Sequence, residues 1–253
     1  MGKTPDAGTP RRLVVSVVSH GQAALIAHLW ADLAAFCKTP IHVVLTVNKP
    51  ESLEGLSLPF PLTIIRNLAP RGFGANHNAA AAAVDSDIFC VLNPDVRLRA
   101  DPFPALMCAL EDDEVGVVAP LVTGSGGEQQ DSARAFPTPG VALGRLLRKT
   151  PPRPTEPVEW VAGMCMVFRT PVFNGAGGFD DRYWLYYEDA DLCCRLTLAG
   201  FRVLVCADAV IIHDAQRTSH RNLRYLVWHI RSALRFFRSS SYRLWRAGSR
   251  CEH

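Results

Sequence analysis

The sequence predicts an α/β fold with a mostly parallel central sheet flanked by helices, and three observations carry that reading. Short β-branched apolar runs alternate with stretches at helical spacing, as strands buried on both faces and their crossover helices require. Polar or Gly-rich residues stand directly after those runs, where open α/β sheets bind ligands. The chain's 253 residues, 48% hydrophobic and 20% charged, suffice for a large core and are too apolar for a disordered chain.

Residues 13–19 (LVVSVVS) read as the first strand, and 22–37 place apolar residues at helical spacing. Strands follow at 41–47 (IHVVLTV) and 62–66 (LTIIR), then an Ala-rich helix at 76–84 and a strand at 88–92 (IFCVL). A helix around 103–111 and a strand at 115–119 come next. Residues 124–157 hold 11 Gly or Pro in 34, too many for continuous regular structure, so a mobile excursion with a short helix near 141–148 is expected. Order resumes with 160–168 (WVAGMCMVF), a turn at 175–178, a helix opening at Glu188, strands at 202–206 and 210–213, and a basic amphipathic helix at 223–237.

The formal charge of +3, from 27 Lys+Arg and 24 Asp+Glu, hides an asymmetry. Residues 1–214 carry 18 basic and 23 acidic side chains, whereas 215–251 carry nine Arg and no acid. No stretch approaches the ~18 apolar residues of a membrane span, and the polar start lacks the apolar segment of a signal peptide, so a cytoplasmic protein is expected. The eight cysteines sit mostly in apolar runs without a CxxC pair, which points to reduced core thiols rather than disulfides or zinc ligands.

Four clusters can carry chemistry. In Leu92-Asn93-Pro94-Asp95-Val96, a carboxylate just after a buried strand projects into the ligand crevice, where it either binds a divalent cation or caps the next turn. In Trp184 to Arg195 (WLYYEDADLCCR), Glu188, Asp189 and Asp191 crowd a helix start. They serve as first-turn caps favoured by the helix dipole, or one of them, its pKa raised by like charge and apolar neighbours, serves as a general base. His213 closes a strand as a satisfied histidine or as a metal ligand opposite Asp95. Residues 67–78 (NLAPRGFGANHN) form a loop whose Gly72 and Gly74 permit close backbone approach, either to hold a nucleotide sugar or as one of the Gly-rich loops common to any α/β protein.

These pieces, in this order, resemble the inverting family 2 glycosyltransferases of GT-A fold, which has a Rossmann-like sheet, and most closely their bacterial rhamnosyltransferase-like branch. Residues 13–20 resemble the family's first strand and its ending, 67–78 its N-x-G-F-x-x-x-N loop, and Asn93-Pro94-Asp95 its D-x-D. Gly163 in WVAGMCMVFR, then GGFDDRYWLYYEDADLCCRL, then His213 complete the series. The resemblance implies Asp189 as general base, with Glu188 and Asp191 shaping that base and contacting the acceptor. It implies Asp95 and His213 as ligands of Mn²⁺ or Mg²⁺, and Ser19, His20, Asn48, Asn67, Gly72, Phe73, Asn76, Asn93 and Asp95 around a nucleotide-sugar donor, with dTDP-rhamnose first and UDP-linked hexoses or galactofuranose behind it. The implied acceptor is a glycan or a polyprenyl-diphosphate-linked glycan of bacterial surface polysaccharide synthesis. Asn93 departs from the first Asp of D-x-D, Asn48 stands where many relatives have Asp, and His20 replaces the usual Tyr or Asn.

On that reading a disordered start (1–12) precedes a single catalytic domain (13–219), made of a donor half (13–123), a mobile loop (124–157) and an acceptor half (158–219). A basic helix and tail (220–253) follow. Two uses of the tail stay open, and both can hold at once: an anionic membrane surface met through 220–246, with the protein peripheral at the inner face of the cell membrane, and a helix packing its apolar face on the acidic body. Nucleic acid is the weaker partner, since no recognised binding module surrounds the tail. Two other functions are a catalytically silent sugar-nucleotide-binding protein, suggested by Asn93 and Asn48, and a nucleotidyltransferase, which lacks its triphosphate loop after the first strand.

Overall fold

A computed structural model of the chain describes residues 11–55, 57–141, 158–213 and 223–248. Most of the expected disordered start, nearly all of the short helix near 141–148, and Asp214 lie outside the described residues.

The main sheet is built from β3 (Leu62–Arg66), β2 (Ile41–Val47), β1 (Leu13–Ser19), β4 (Ile88–Leu92), β9 (Cys165–Arg169), β6 (Val115–Thr123), β10 (Arg202–His213) and β5 (Val96–Arg97), in that spatial order. β1, β2 and β4 are almost wholly buried because helices cover both faces, and their continuous apolar sequences answer to that. On one face α1 (Ala23–Phe36) and α3 (Phe103–Ala109) pack Ile26, Leu29, Leu33, Phe103 and Leu106 against Val15, Leu45 and Cys90. On the other, α2 (Phe73–Ala83), α4 (Thr170–Gly175) and α5 (Glu188–Leu198) pack Ala80, Phe173, Leu192 and Leu196 against Val14, Val44, Phe89 and Val91.

The parallel sheet is interrupted. β9 runs antiparallel to both β4 and β6, and β5 runs antiparallel to β10, while the remaining pairs are parallel. The stretch 160–168 is two strands, β8 (Trp160–Val161) and β9, separated by a turn at 162–164; β8 pairs with β7 (Ala133–Arg134) in a separate ribbon. The two strands expected at 202–206 and 210–213 are one. Both halves pair with β6, and a register shift between Cys206 and Val210 absorbs the residues between them as a bulge. The Ala-rich helix starts at Phe73 rather than at 76, because Gly72 caps it and the Phe73 N–H donates outward to the Trp184 carbonyl at 3.0 Å.

The C-terminal part is two helices, α6 (Leu223–Arg238) and α7 (Ser240–Gly248), the second of which was not expected. α6 does pack on the body, but through Ser232, Phe236 and the partly buried Phe237 rather than through the whole apolar face expected. Its buried residues are Ser232 and Phe236, whereas Leu223, Leu226, Val227, Ile230 and Leu234 are exposed.

Candidate active site

The base candidate sits at the first turn of α5. Just before it, Tyr186 and Tyr187 have φ of 72° and 68°, a left-handed conformation that costs bulky residues roughly 1–3 kcal/mol each. The inner face of α6 holds them there: His229 lies 5.3 Å from each ring, Phe236 5.5 Å from Tyr187, and the Ser232 hydroxyl donates to the Leu185 carbonyl at 2.8 Å. Past this turn Glu188 and Asp189 meet different surroundings.

Asp189 is part-buried and accepts two backbone hydrogen bonds, from Gly163 N–H at 3.0 Å on Oδ2 and from Ala190 N–H at 2.8 Å on Oδ1. Burial raises its pKa above the ordinary carboxylate value, and the N–H groups of Ala190 and Gly163 and the Arg134 cation offset only part of that rise. Glu188 is 4% exposed and its Oε2 has no partner. Burial and the neighbouring Asp189 charge push its pKa well up. In such unlike surroundings the negative charge is favoured on Asp189, whose oxygens meet N–H donors, over the unpartnered Glu188.

Asp191 is placed elsewhere. It is buried with Oδ2 accepting from Arg195 Nε at 2.8 Å and Oδ1 from the Ser241 hydroxyl at 3.2 Å, so it ties α5 to α7 rather than facing an acceptor as expected.

Asp95 and His213 do meet. Val96 of β5 stands opposite His213 of β10, which brings His213 Nε2 to 3.2 Å from Asp95 Oδ2. β5 is itself anchored to α1, because Arg97 clasps the buried Asp32 through Nε (2.6 Å) and Nη2 (2.8 Å) and the Leu98 N–H adds a third bond. Asp95 Oδ1 is buried and without a partner. No cluster of three or more His, Cys, Asp or Glu that could hold a metal occurs among the described residues. One carboxylate with a spare oxygen and one imidazole fit a divalent cation whose other positions are filled by donor oxygens and water.

The expected donor residues fall into two groups. Asn48, Asn67 and Asn76 bond chiefly to the protein. Asn48 Oδ1 accepts from the Arg71 N–H (2.8 Å) and from Asn67 (2.8 Å), and its amide donates to the Arg71 carbonyl (2.9 Å); Asn67 also donates to Asn76 Oδ1 (2.7 Å). This clasp shapes the loop ahead of α2. Ser19 is likewise engaged, its carbonyl accepting from Asn48 N–H and its hydroxyl from Gln22 N–H. His20 is exposed beside this clasp, its Nδ1 accepting from the Asn48 amide at 3.0 Å, and partial burial followed by the Lys49 charge lowers its pKa.

Backbone links join the parts. Asn93 N–H donates to the Met164 carbonyl at 2.9 Å, one residue from the Gly163 N–H on Asp189. A Cβ on Gly72 would stand 2.8 Å from the Tyr183 carbonyl, so α2 and the 178–184 segment touch backbone to backbone. Asn78 and Phe179 bond reciprocally, amide to carbonyl at 2.8 Å and N–H to Oδ1 at 2.9 Å. Phe73 packs edge-on against His77 (4.4 Å) and Phe179 (5.9 Å), and its ring lies beside Gly163. The Gly163 N–H, the Asn78–Phe179 pair and the α6 clamp were not read from sequence; Gly163 was legible only as a member of an ordered series.

The family model described as Glycosyl transferase family 2 matches residues 15–173. The chain is 32% identical over 268 residues to the N-acetylglucosaminyl-diphospho-decaprenol L-rhamnosyltransferase of Mycobacterium tuberculosis, covering 93% of this chain and 87% of that one. It is 31% identical over 186 residues to the rhamnosyltransferase WbbL of Escherichia coli K12, covering 65% and 69%. Among solved structures, a mannosyltransferase from Pyrobaculum calidifontis in complex with GDP-Man and Mn²⁺ superposes with a TM-score of 0.62 at 18% identity, over 92% of this chain and 66% of that chain. S. aureus TarS 1–349 in complex with UDP-GlcNAc gives 0.61 at 14% identity, over 90% and 67%. These likenesses establish the GT-A fold.

Proposed function

The chain belongs to glycosyl transferase family 2 and is a glycosyltransferase, and from that premise we propose that it moves rhamnose from dTDP-rhamnose to a hydroxyl of a polyprenyl-diphosphate-linked glycan, with inversion at the anomeric carbon. The observation that carries the mechanism is the unlike pair Glu188 and Asp189, with Asp189 held by the Gly163 and Ala190 N–H groups. The sugar and acceptor class rest on the Mycobacterium relative, whose name specifies a rhamnosyl group and a decaprenyl diphosphate carrier.

In the reaction, the acceptor oxygen forms a bond to the anomeric carbon while its proton passes to the Asp189 carboxylate. The bond from that carbon to the diphosphate oxygen breaks on the opposite face, and the nucleoside diphosphate leaves with the electron pair. The Gly163 and Ala190 N–H groups fix the direction of the Asp189 lone pairs before the acceptor arrives. Neutral Glu188 adds no second negative charge beside the base. Asp95 and His213 would hold Mn²⁺ or Mg²⁺, which supplies charge stabilisation for the departing diphosphate. The Asn48–Asn67–Asn76 clasp holds the Arg71-Gly72-Phe73 backbone in shape, and His20, exposed at its edge, is available to the nucleoside.

The test is a screen of dTDP-rhamnose, UDP-hexoses and UDP-galactofuranose with Mn²⁺, read by thermal shift and by transfer of labelled sugar to a polyprenyl-diphosphate N-acetylglucosamine acceptor. Transfer from dTDP-rhamnose with an inverted product is expected. Transfer from a UDP-sugar alone would replace the donor assignment, and hydrolysis or transfer from none of them would overturn the function.

A further inference from the structure

Helix α6 has three lengthwise surfaces. With about 100° between successive residues, Trp228, Ser232 and Phe236 share the face turned to the body, where Trp228 stacks on Trp184 at 6.0 Å and Ser232 and Phe236 are buried. On the opposite side Leu223, Val227, Ile230 and Leu234 form one line, exposed by 79%, 49%, 41% and 47%, with Leu226 beside them. Arg224, Arg231, Arg235 and Arg238 all fall along a single flank between these two surfaces; Arg235 also lies 5.8 Å over the Tyr183 ring.

An apolar line of this length, open to water and edged by a row of guanidinium groups, needs an apolar partner with negative charge at its border. A bilayer of anionic lipid supplies both, acyl chains for the line and headgroups for the row. A second copy meeting this face helix to helix would bring the same residues 223–248, which contain no Asp or Glu, and so no counter-charge for the arginines. Among the described residues no helix is long and apolar enough to cross a membrane, so α6 lies along the surface. α7 continues the pattern with exposed Leu244, Arg243 and Arg246.

We propose that the outer face of α6, Leu223, Leu226, Val227, Ile230 and Leu234 flanked by Arg224, Arg231, Arg235 and Arg238, docks on an anionic lipid bilayer with the helix axis in the plane of the interface. The surface argument stands independently of which sugar is moved. Its consequence for the site is positional: the inner face of the same helix clamps Leu185, Tyr186 and Tyr187, so docking sets the turn before Asp189 about one helix diameter, ~10 Å, from the bilayer.

Removing the whole tail cannot test this, because it also releases the clamp, so the test uses surface substitutions in the full chain. Co-sedimentation is measured with vesicles of phosphatidylglycerol mixed with phosphatidylcholine and with phosphatidylcholine alone. The wild type is expected to pellet with the anionic vesicles and to be released by salt. Arg231→Gln with Arg238→Gln should weaken that partition on the order of 30-fold, at roughly 5-fold per arginine. Val227→Ser with Ile230→Ser and Leu234→Ser should weaken it at least about tenfold. Both variants should keep the wild-type melting temperature and nucleotide-sugar binding. Equal partition by the wild type and the arginine variant, or no binding of the wild type to anionic vesicles, would overturn the proposal. So would a solution dimer that the serine substitutions dissolve while vesicle binding persists, which would assign the face to a second copy.

Discussion

Gly163 donates its backbone N–H to Oδ2 of Asp189 at 3.0 Å, across 26 residues of sequence. A Cβ there would stand 3.1 Å from the Phe73 ring, a contact tight enough that either the ring or the turn at 162–164 must give by a few tenths of an ångström. Gly163→Ala is therefore expected to lower kcat by on the order of tenfold by misaligning Asp189, with a melting temperature only slightly reduced and donor KM little changed. A wild-type kcat in steady-state transfer assays would show that this hydrogen bond does not position the base.

Glu188 gives the site a signature in pH. Its pKa in the folded chain is raised above the ordinary value of 4.5, so the stability that comes from burying the neutral acid is fully present below about 4.5 and is lost as pH rises through the raised folded pKa. Glu188→Gln stays neutral throughout. The variant's melting temperature relative to wild type should thus climb with pH from mildly acidic to alkaline buffer, and parallel curves would contradict a buried, protonated Glu188.

The clasp at Asn48 distinguishes an amide from a carboxylate. Asn48 both accepts from the Arg71 N–H and donates to the Arg71 carbonyl, and an Asp can do only the first. Asn48→Asp should cost about 1–3 kcal/mol in denaturant unfolding, since it removes a donor and buries a charge, and should raise donor KM as the loop at 71–73 loosens. Unchanged stability would mean that the loop is held by other contacts.

Asp95→Ala and His213→Ala should each raise the Mn²⁺ concentration for half-maximal transfer by at least about tenfold, while the folded chains melt close to wild type. Metal titrations that overlay the wild type would remove both residues from the cation site.

Phe236 is fully buried and stacks on Tyr187 at 5.5 Å. Phe236→Ala should cost roughly 3–5 kcal/mol and, by freeing the left-handed Tyr186-Tyr187 turn, should lower kcat more than donor affinity. Full activity in a folded variant would separate α6 from the catalytic turn.

Much of this was legible in the chain itself. Residues 13–19, 41–47 and 88–92 are strands buried on both faces, and a strand so placed must be apolar throughout, which is a local signal. The insertion of β9 antiparallel between β4 and β6 was not legible, because a strand's neighbours are chosen by long-range packing that its own sequence does not record. Residues 202–213 read as two strands since the polar step at Asp208 breaks the apolar run, yet both halves find the same partner. Asn48, Asn67 and Asn76 were legible as important polar positions, but which group each would bind depended on how the loop folds back. The outer line of α6 shows the limit most clearly. Its spacing identifies an apolar side, and spacing alone cannot say whether protein or lipid covers it. Small and aromatic residues, Ser232 and Phe236, proved to face the body.

The most direct test is Asp189→Asn. The substitution keeps the shape and an oxygen for the Gly163 or Ala190 N–H groups while removing the ability to take a proton. Transfer of labelled sugar from dTDP-rhamnose to the lipid-linked acceptor should fall by about 10³-fold or more, with the donor still bound, as read by thermal shift, within about threefold of wild type. Turnover at a rate near that of the wild type would contradict Asp189 as the base that accepts the acceptor's proton.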